Sequence, residues 1–365
     1  MKYKRPPDFT FLMCVLILLC FGIVMVFSSS SAWAYYQYKD SLYFLKKQLL
    51  WSLFGVIAMV YFLNFDYRKI KKIAFPLLLL NYLLLILVLI PGIGVKINEA
   101  RRWIGVGFFS IQPSEVAKLA LIIYFSSYLE KRMDTIENFF KGVLPVLIIM
   151  ATTCALVLVE PHLSATVVIA VLTMMLLFVA GMRFTHILSL MVIGAAVAIK
   201  LAYGKEYRVR RLTSFLNPWE DVRGKGYHIV QSLFALSSGG LLGVGLGHSR
   251  QKFFYLPEPQ TDFIFAIIGE ELGFIGAVFV IIVFAILIWR GFKIAINSPD
   301  AFGKFLATGI ICQIAIQFLI HVAVVTASLP VTGMPLPFIS YGGSSLVMTL
   351  IEAGIILNIS RFTEA

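Results

Sequence analysis

Charge is scarce in this chain: Asp, Glu, Lys and Arg make up 14% of its 365 residues, against about 25% in soluble globular domains. With 59% hydrophobic residues and a mean hydropathy of +0.89, a soluble globule is excluded. Strand-type alternation is missing as well, which excludes a membrane β-barrel. Cysteine is confined to Cys14, Cys20, Cys154 and Cys312, all inside apolar runs and none in CxxC spacing. Buried thiols are therefore expected rather than disulfides or metal ligands, and no residue is assigned to a metal. No low-complexity linker divides the chain and no convincing internal repeat is found. The chain reads as a single domain over residues 1–365, and the missing repeat counts against an inverted-repeat transporter.

What is present is a series of apolar runs, each near the ~20 residues that carry a helix across ~30 Å of hydrocarbon. They fall at about 10–30, 46–63, 73–90, 112–128, 142–160, 163–182, 184–203, 263–289, 304–329 and 338–359. The expected fold class is all-α: a polytopic membrane protein of about ten transmembrane helices, with a long extracytoplasmic loop between helices 7 and 8, about residues 204–262. The first run follows Lys2, Lys4 and Arg5, and Ala32-Trp33-Ala34 loosely resembles a cleavage site. The run exceeds the ~7 to 15 apolar residues of a signal peptide, so a retained helix is expected.

Ten helices place both termini on one side, and short-loop Lys and Arg say which. The N-terminus, Arg68 to Lys72, Lys131 to Lys141, Arg183, Arg290 to Lys304 and Arg361 share one face, expected to be cytoplasmic. The opposite face is also basic, with Arg101 and Arg102 in one loop and Arg208, Arg210, Arg211, Arg250 and Lys252 in the long one. Such charges outside the membrane suit a pyrophosphate or lipid headgroup, or simply attract anionic lipids. Nucleic acid is not an expected partner. The glycine run Ser238 to Gly247 (SGGLLGVGLG) fits neither a dinucleotide fingerprint nor a Walker loop, and a tight, close-packed turn is expected there.

The chain is organised around FFYLPEPQTDFIFAIIGEELG, Phe253 to Gly273. Pro257 and Pro259 delay any helix until after Gln260. That predicts Thr261 as N-cap and Asp262 as the first acid of a long apolar helix, at the boundary between membrane and water. An acid there could serve the helix dipole alone, or it could reach a substrate that is half lipid and half polar. Glu115 and Lys118 share a helix face at i, i+3, and Glu270 and Glu271 lie roughly 12 Å further along the helix of Asp262. Lys118 is expected to pair with one of these glutamates or with Glu115, forming the floor of an outward-facing cavity or merely locking helices. Packing roles are expected for His321 and Glu352. Trp103, after two arginines, fits an interfacial anchor or a sugar-stacking residue. The breaker-rich stretch Leu329 to Ser345 (LPVTGMPLPFISYGGSS) offers Ser340, Tyr341 and Ser344, and is expected to border the same cavity.

Four ordered blocks then carry a resemblance: RRWIGVGFFSIQPSEVAKL from Arg101, GYHIVQSLFALSSGGLLGVGLGHSRQK from Gly226, YLPEPQTDFIFAIIGEELG from Tyr255 and LPFISYGGSSL from Leu336. Together they resemble the SEDS proteins (shape, elongation, division and sporulation), the FtsW and SpoVE branch more than RodA. The resemblance implies a ten-helix glycosyltransferase of the bacterial cytoplasmic membrane that polymerises lipid II at the outer face, with a class B penicillin-binding protein as partner. It carries the essential acid to Asp262 and sensitive polar positions to Arg102, Trp103, Glu115 and Lys118. Further substrate-binding candidates are Arg208, Arg211, Gln231, Lys252, Thr261, Glu270, Ser340, Tyr341 and Ser344. A divalent cation, Mg or Mn, is the one cofactor considered. Glu99, His228 and Gln260 depart from the family pattern, and Gln260 puts in doubt a proton relay beside Asp262. A lipid II flippase and a noncatalytic scaffold are the competing readings.

Overall fold

The computed structural model describes residues 5–97, 100–106, 109–204, 209, 213–222, 224, 226–253 and 255–363. The helices are α1 (Phe9–Tyr38), α2 (Tyr43–Asn64), α3 (Tyr67–Leu87, interrupted by a 3-10 turn at Lys71–Ile73), α4 (Pro113–Glu130), α5 (Phe139–Val159, opening on a π turn), α6 (Leu163–Val179), α7 (Phe184–Tyr203), α8 (Tyr227–Ser238), α9 (Ile264–Ile296), α10 (Ala301–Val325) and α11 (Gly343–Ser360). Every expected span coincides with one of them. Seven are long and apolar enough to cross a membrane by length and composition. α4 falls outside that group because Glu115, Lys118 and Glu130 lie within it, and α6 has only 17 residues.

One end of the bundle gathers both ends of the described chain. Asp8 caps α1 by accepting from Phe11 N at 2.8 Å and also pairs with Arg290. Asp300 caps α10 through Gly303 N at 2.7 Å and holds Arg68 Nε at 3.1 Å. Asn358 of α11 accepts from Tyr67 N at 3.0 Å, and Arg5 N donates to Arg361 O at 3.0 Å. The α2–α3, α9–α10 and C-terminal junctions thus meet at one end, the terminal end. Arg102, Glu160, Pro161, Thr332, Gly333 and Asp262 gather at the other, the site end.

Between α3 and α4 the chain forms a three-stranded antiparallel sheet, β1 (Gly94–Ile97), β2 (Ala100–Val106) and β3 (Phe109–Ile111), with Val95 opposite Trp103 and Ile104 opposite Ile111. The sequence treats this stretch as a loop, because strands this short show no readable alternation.

The long helix α9 is broken at Gly273, whose φ of 67° only glycine adopts readily. The glycine run fills the break. Val244 N and Gly245 N donate to Glu270 O and Glu271 O at 3.0 Å each, and Phe274 N donates to Gly240 O at 2.9 Å. Backbone groups freed by the kink are thereby satisfied at membrane depth. A methyl group on Gly273 would lie 2.3 Å from Gly243 N and one on Gly243 would lie 2.2 Å from Glu271 O, so neither position has room for a side chain.

Candidate functional site

Asp262 sits in the turn that immediately precedes α9 and is half-buried. The N-cap expected at Thr261 falls instead at Phe263, which offers no side-chain cap. Glu258, at a φ of 47°, closes a turn between the two prolines, and Thr261 Oγ1 donates into it, to Glu258 O at 3.1 Å and Glu258 Oε2 at 3.2 Å. The Thr261 hydroxyl is turned back toward Glu258, and the helix starts later. Beside this turn the imidazole of His228 stacks on Phe263 at 6.1 Å between centroids. Gln231, three residues on along α8, shares that helix face.

The breaker-rich stretch borders Asp262, as expected. A methyl group placed on Gly333, itself at a φ of 65°, would come within 3.2 Å of Asp262 Oδ2. Ser340 Oγ donates to Thr261 O at 2.6 Å and accepts from Leu336 N at 2.8 Å, while Tyr341 N donates to Gln260 O at 2.9 Å. His321 Nδ1 bonds Met334 O at 2.8 Å and so fixes the same stretch to α10. Burial among the rings of Tyr43 and Tyr38 pushes the Tyr341 phenol up to about 12, so it stays protonated.

From this stretch contacts lead to α4 and to Arg102. Ser164 Oγ donates to Thr332 O at 2.6 Å. His162, two residues earlier, is hydrogen-bonded through Nδ1 to Ser114 Oγ at 3.1 Å, and burial, with Arg102 and Lys118 adding to it, lowers its pKa to about 3 and keeps it neutral. Next along α4, Glu115 and Lys118 form an ion pair at 2.7 Å with side chains 8% and 0% exposed. Of the partners expected for Lys118, Glu115 is the one it takes. Arg102 of β2 donates through Nε to Glu160 O at 3.1 Å and through a second nitrogen to Pro161 O. Trp103 follows it in β2, half-buried, and points to the other face of the sheet.

Glu270 and Glu271 are both held by the segment 249–252. Glu270 accepts from Ser249 Oγ and from Arg250 N at 2.9 Å. Glu271 accepts from Ser28 Oγ at 2.5 Å and from Lys252 Nζ at 3.1 Å, and the Lys252 ammonium also donates to Gly247 O at 2.6 Å. Arg208 and Arg211 lie outside the described residues. Several buried polar atoms at this end have no hydrogen-bond partner among the described residues: Gln260 Oε1, Thr332 Oγ1, Ser344 Oγ, Gln48 Oε1 and both carboxylate oxygens of Glu160. Orphaned polar atoms are rare in folded proteins and mark places where water or a ligand completes the bonding.

The family model described as a cell cycle protein, FtsW/RodA/SpoVE, matches residues 9–365. The chain belongs to the FtsW/RodA/SpoVE family. It is 48% identical over 361 residues to the stage V sporulation protein E of Bacillus subtilis, covering 99% of each chain. It is 43% identical to a probable peptidoglycan glycosyltransferase FtsW of Geobacter sp., covering 99% of this chain and 98% of the relative. Among solved structures, it superposes on a chain of a peptidoglycan synthase complex that coordinates polymerization and crosslinking, with a TM-score of 0.80, 27% identity and coverage of 97% and 98%. It also superposes on the Thermus thermophilus rod shape determining protein RodA, with a TM-score of 0.73, 26% identity and 97% coverage of both.

In this family member Glu160 is the site-end residue that sequence reasoning passes over. It caps the C-terminal end of α5, where the helix dipole disfavours an acid, so helix stability does not account for it. Burial pushes its pKa up to about 8, with Arg102 opposing. The signal was one acid closing an apolar run, LVLVEPH, ahead of a proline. Among the described residues no three His, Cys, Asp or Glu converge to hold a metal ion.

Proposed function

We propose that this chain is a peptidoglycan glycosyltransferase that polymerises lipid II into β-1,4 glycan at the outer face of the bacterial cytoplasmic membrane, serving division or sporulation. The observation that carries the reading is the convergence, at the end of the bundle away from the termini, of Asp262, the Gly333 stretch, Arg102 and the Glu115–Lys118 pair. Asp262 stands just beyond an apolar helix, so it meets the sugar of a substrate whose lipid tail stays in the membrane. Family membership supports the same reaction. The site end is then outside and both termini are cytoplasmic, in keeping with the short-loop lysines and arginines.

In this reading the Asp262 carboxylate takes the proton from the 4-hydroxyl of the terminal GlcNAc on one lipid II as that oxygen attacks C1 of MurNAc on another. The bond from C1 to the pyrophosphate oxygen breaks and undecaprenyl pyrophosphate leaves. A single displacement inverts the α-linked donor to a β linkage. Arg102, oriented by the carbonyls of Glu160 and Pro161, neutralises charge on the departing pyrophosphate, with Arg208 and Arg211 of the long loop. Trp103, Gln231, Tyr341 and Ser344 supply sugar contacts, while Thr261 and Ser340, whose hydroxyls are bonded within the protein, position the acid. Glu270 and Lys252 act one step back, holding the kink of α9 beneath them. A Mg or Mn ion, where one takes part, would enter with the substrate pyrophosphate and offset its charge.

A class B penicillin-binding protein is the proposed partner, supported by the likeness to a chain of a synthase complex that couples polymerization to crosslinking. The test reconstitutes the purified chain with that partner in vesicles bearing labelled lipid II. Glycan polymer on a gel, without faster passage of lipid II between leaflets, is expected. Passage without polymer would replace the polymerase reading with the flippase.

A further inference from the structure

At the terminal end, away from the site, α3 and α4 face each other across an open cleft of about 600 Å³. Arg68, Lys71 and Lys72 line it from the start of α3, and Tyr124, Tyr128 and Lys131 line it from α4. Both sets line the same space, one from each side. Arg68 is paired with Asp300 at 3.1 Å and Lys71 with Glu130 at 2.6 Å. Lys72 and Lys131, both exposed, have no ion-pair partner among the described residues. Four cations against two acids leave a net charge of +2 at the mouth. The C-terminal end of α4 accounts for Lys131 alone, since a cation there complements the helix dipole. It does not account for three more cations converging from α3.

The cleft also continues into an apolar track. Phe75, which lines it, is followed at four-residue intervals on the same face of α3 by Leu79 and Leu83, and all three are more than half exposed. A cationic mouth with an aromatic wall, opening onto a lipid-facing stripe, matches an amphiphile with an anionic head.

We propose that the α3–α4 cleft is a binding site for an anionic glycerophospholipid, its phosphate held between Lys72 and Lys131 and one acyl chain lying along Phe75, Leu79 and Leu83. Basic pockets between transmembrane helices at the cytoplasmic side are suited to such headgroups. The site is remote from Asp262 and needs no part of the polymerase reading. It braces α3 against the helix whose other end carries Glu115 and Lys118.

The test is native mass spectrometry of the intact full-length protein, offered phosphatidylglycerol or phosphatidylcholine in equal amounts. The wild type is expected to retain phosphatidylglycerol in preference. Lys72→Gln/Lys131→Gln should lower that retention by about thirtyfold, at roughly 1 kcal/mol for each basic residue near an anionic headgroup. Lys304→Gln, an exposed lysine at the same end that does not line the cleft, should leave it unchanged. Equal retention by wild type and double variant, or equal retention of the two lipids, would overturn the proposal. So would displacement of the bound lipid by inorganic pyrophosphate alone, which would make the cleft a site for a bare anion, or retention of an acidic protein segment in its place.

Discussion

The hydroxyl of Ser340 donates to the carbonyl of Thr261 at 2.6 Å, tying the stretch that precedes α11 to the residue immediately before Asp262. Because the same oxygen accepts from Leu336 N at 2.8 Å, one buried side chain sets the position of the acid against the wall that faces it. Ser340→Ala should therefore lose about 1 to 3 kcal/mol of stability through the two unmet backbone groups. Polymer yield should fall further than that loss explains, because the acid is no longer held. Thermal unfolding and glycan synthesis by the same preparation check it, and unchanged yield from the destabilised variant would separate Ser340 from the site.

Lys252 and Glu271 form a buried ion pair. Their side chains are 3% and 0% exposed at 3.1 Å, and removing one member of a buried pair strands the other charge. Lys252→Met should cost about 3 to 5 kcal/mol, visible as a lower melting temperature in detergent. Lys252→Met/Glu271→Leu should recover much of it. A double variant as unstable as the single one would show that Glu271 does not depend on that ammonium.

Lys118→Met should behave differently, because its partner Glu115 lies at the site end of α4, next to Ser114 and its bond to His162. Both melting temperature and polymer yield are expected to drop. Lower stability with unchanged activity in a thermal-shift and gel comparison would leave Lys118 only a structural role.

Glu160 supplies a pH dependence. Its pKa is about 8 in the folded protein against an ordinary 4.5, so between those values the folded state holds a proton that the unfolded chain has released. Stability contributed by this side chain is complete below about 4.5 and is lost as pH rises toward about 8, by a few kcal/mol in all. Wild type should thus melt at a lower temperature at about pH 8.5 than at about pH 5.5, and Glu160→Gln should flatten that difference. Parallel profiles for the two proteins would show that Glu160 is ionised throughout.

The helices were legible because one physical constraint dominates them. An apolar run long enough to span lipid has to satisfy its backbone internally, so each stretch read as a span is helical from Phe9 to Ser360. The approach of the Gly333 stretch to Asp262 was legible for a related reason, since unwound backbone at that depth needs a polar lining. The three-stranded sheet around Arg102 was not, because strands of four, seven and three residues carry too little pattern. Partner choice was hidden as well. Nothing local says that Lys252, in a basic loop, spends its charge on Glu271, or that Thr261 turns its hydroxyl back to Glu258 rather than capping α9. Glu160 was missed because an acid at a helix C-terminus looks like a loop residue until its burial is known.

The most direct test of the central claim is glycan synthesis from labelled lipid II by wild type and Asp262→Asn, each purified with a class B penicillin-binding protein and assayed with a divalent cation. Asn keeps the size of the side chain and removes the proton acceptor. Wild type should give polymer, and a variant that remains folded and bound to its partner should give none. Equal polymer from both would contradict that claim and remove Asp262 from the chemistry.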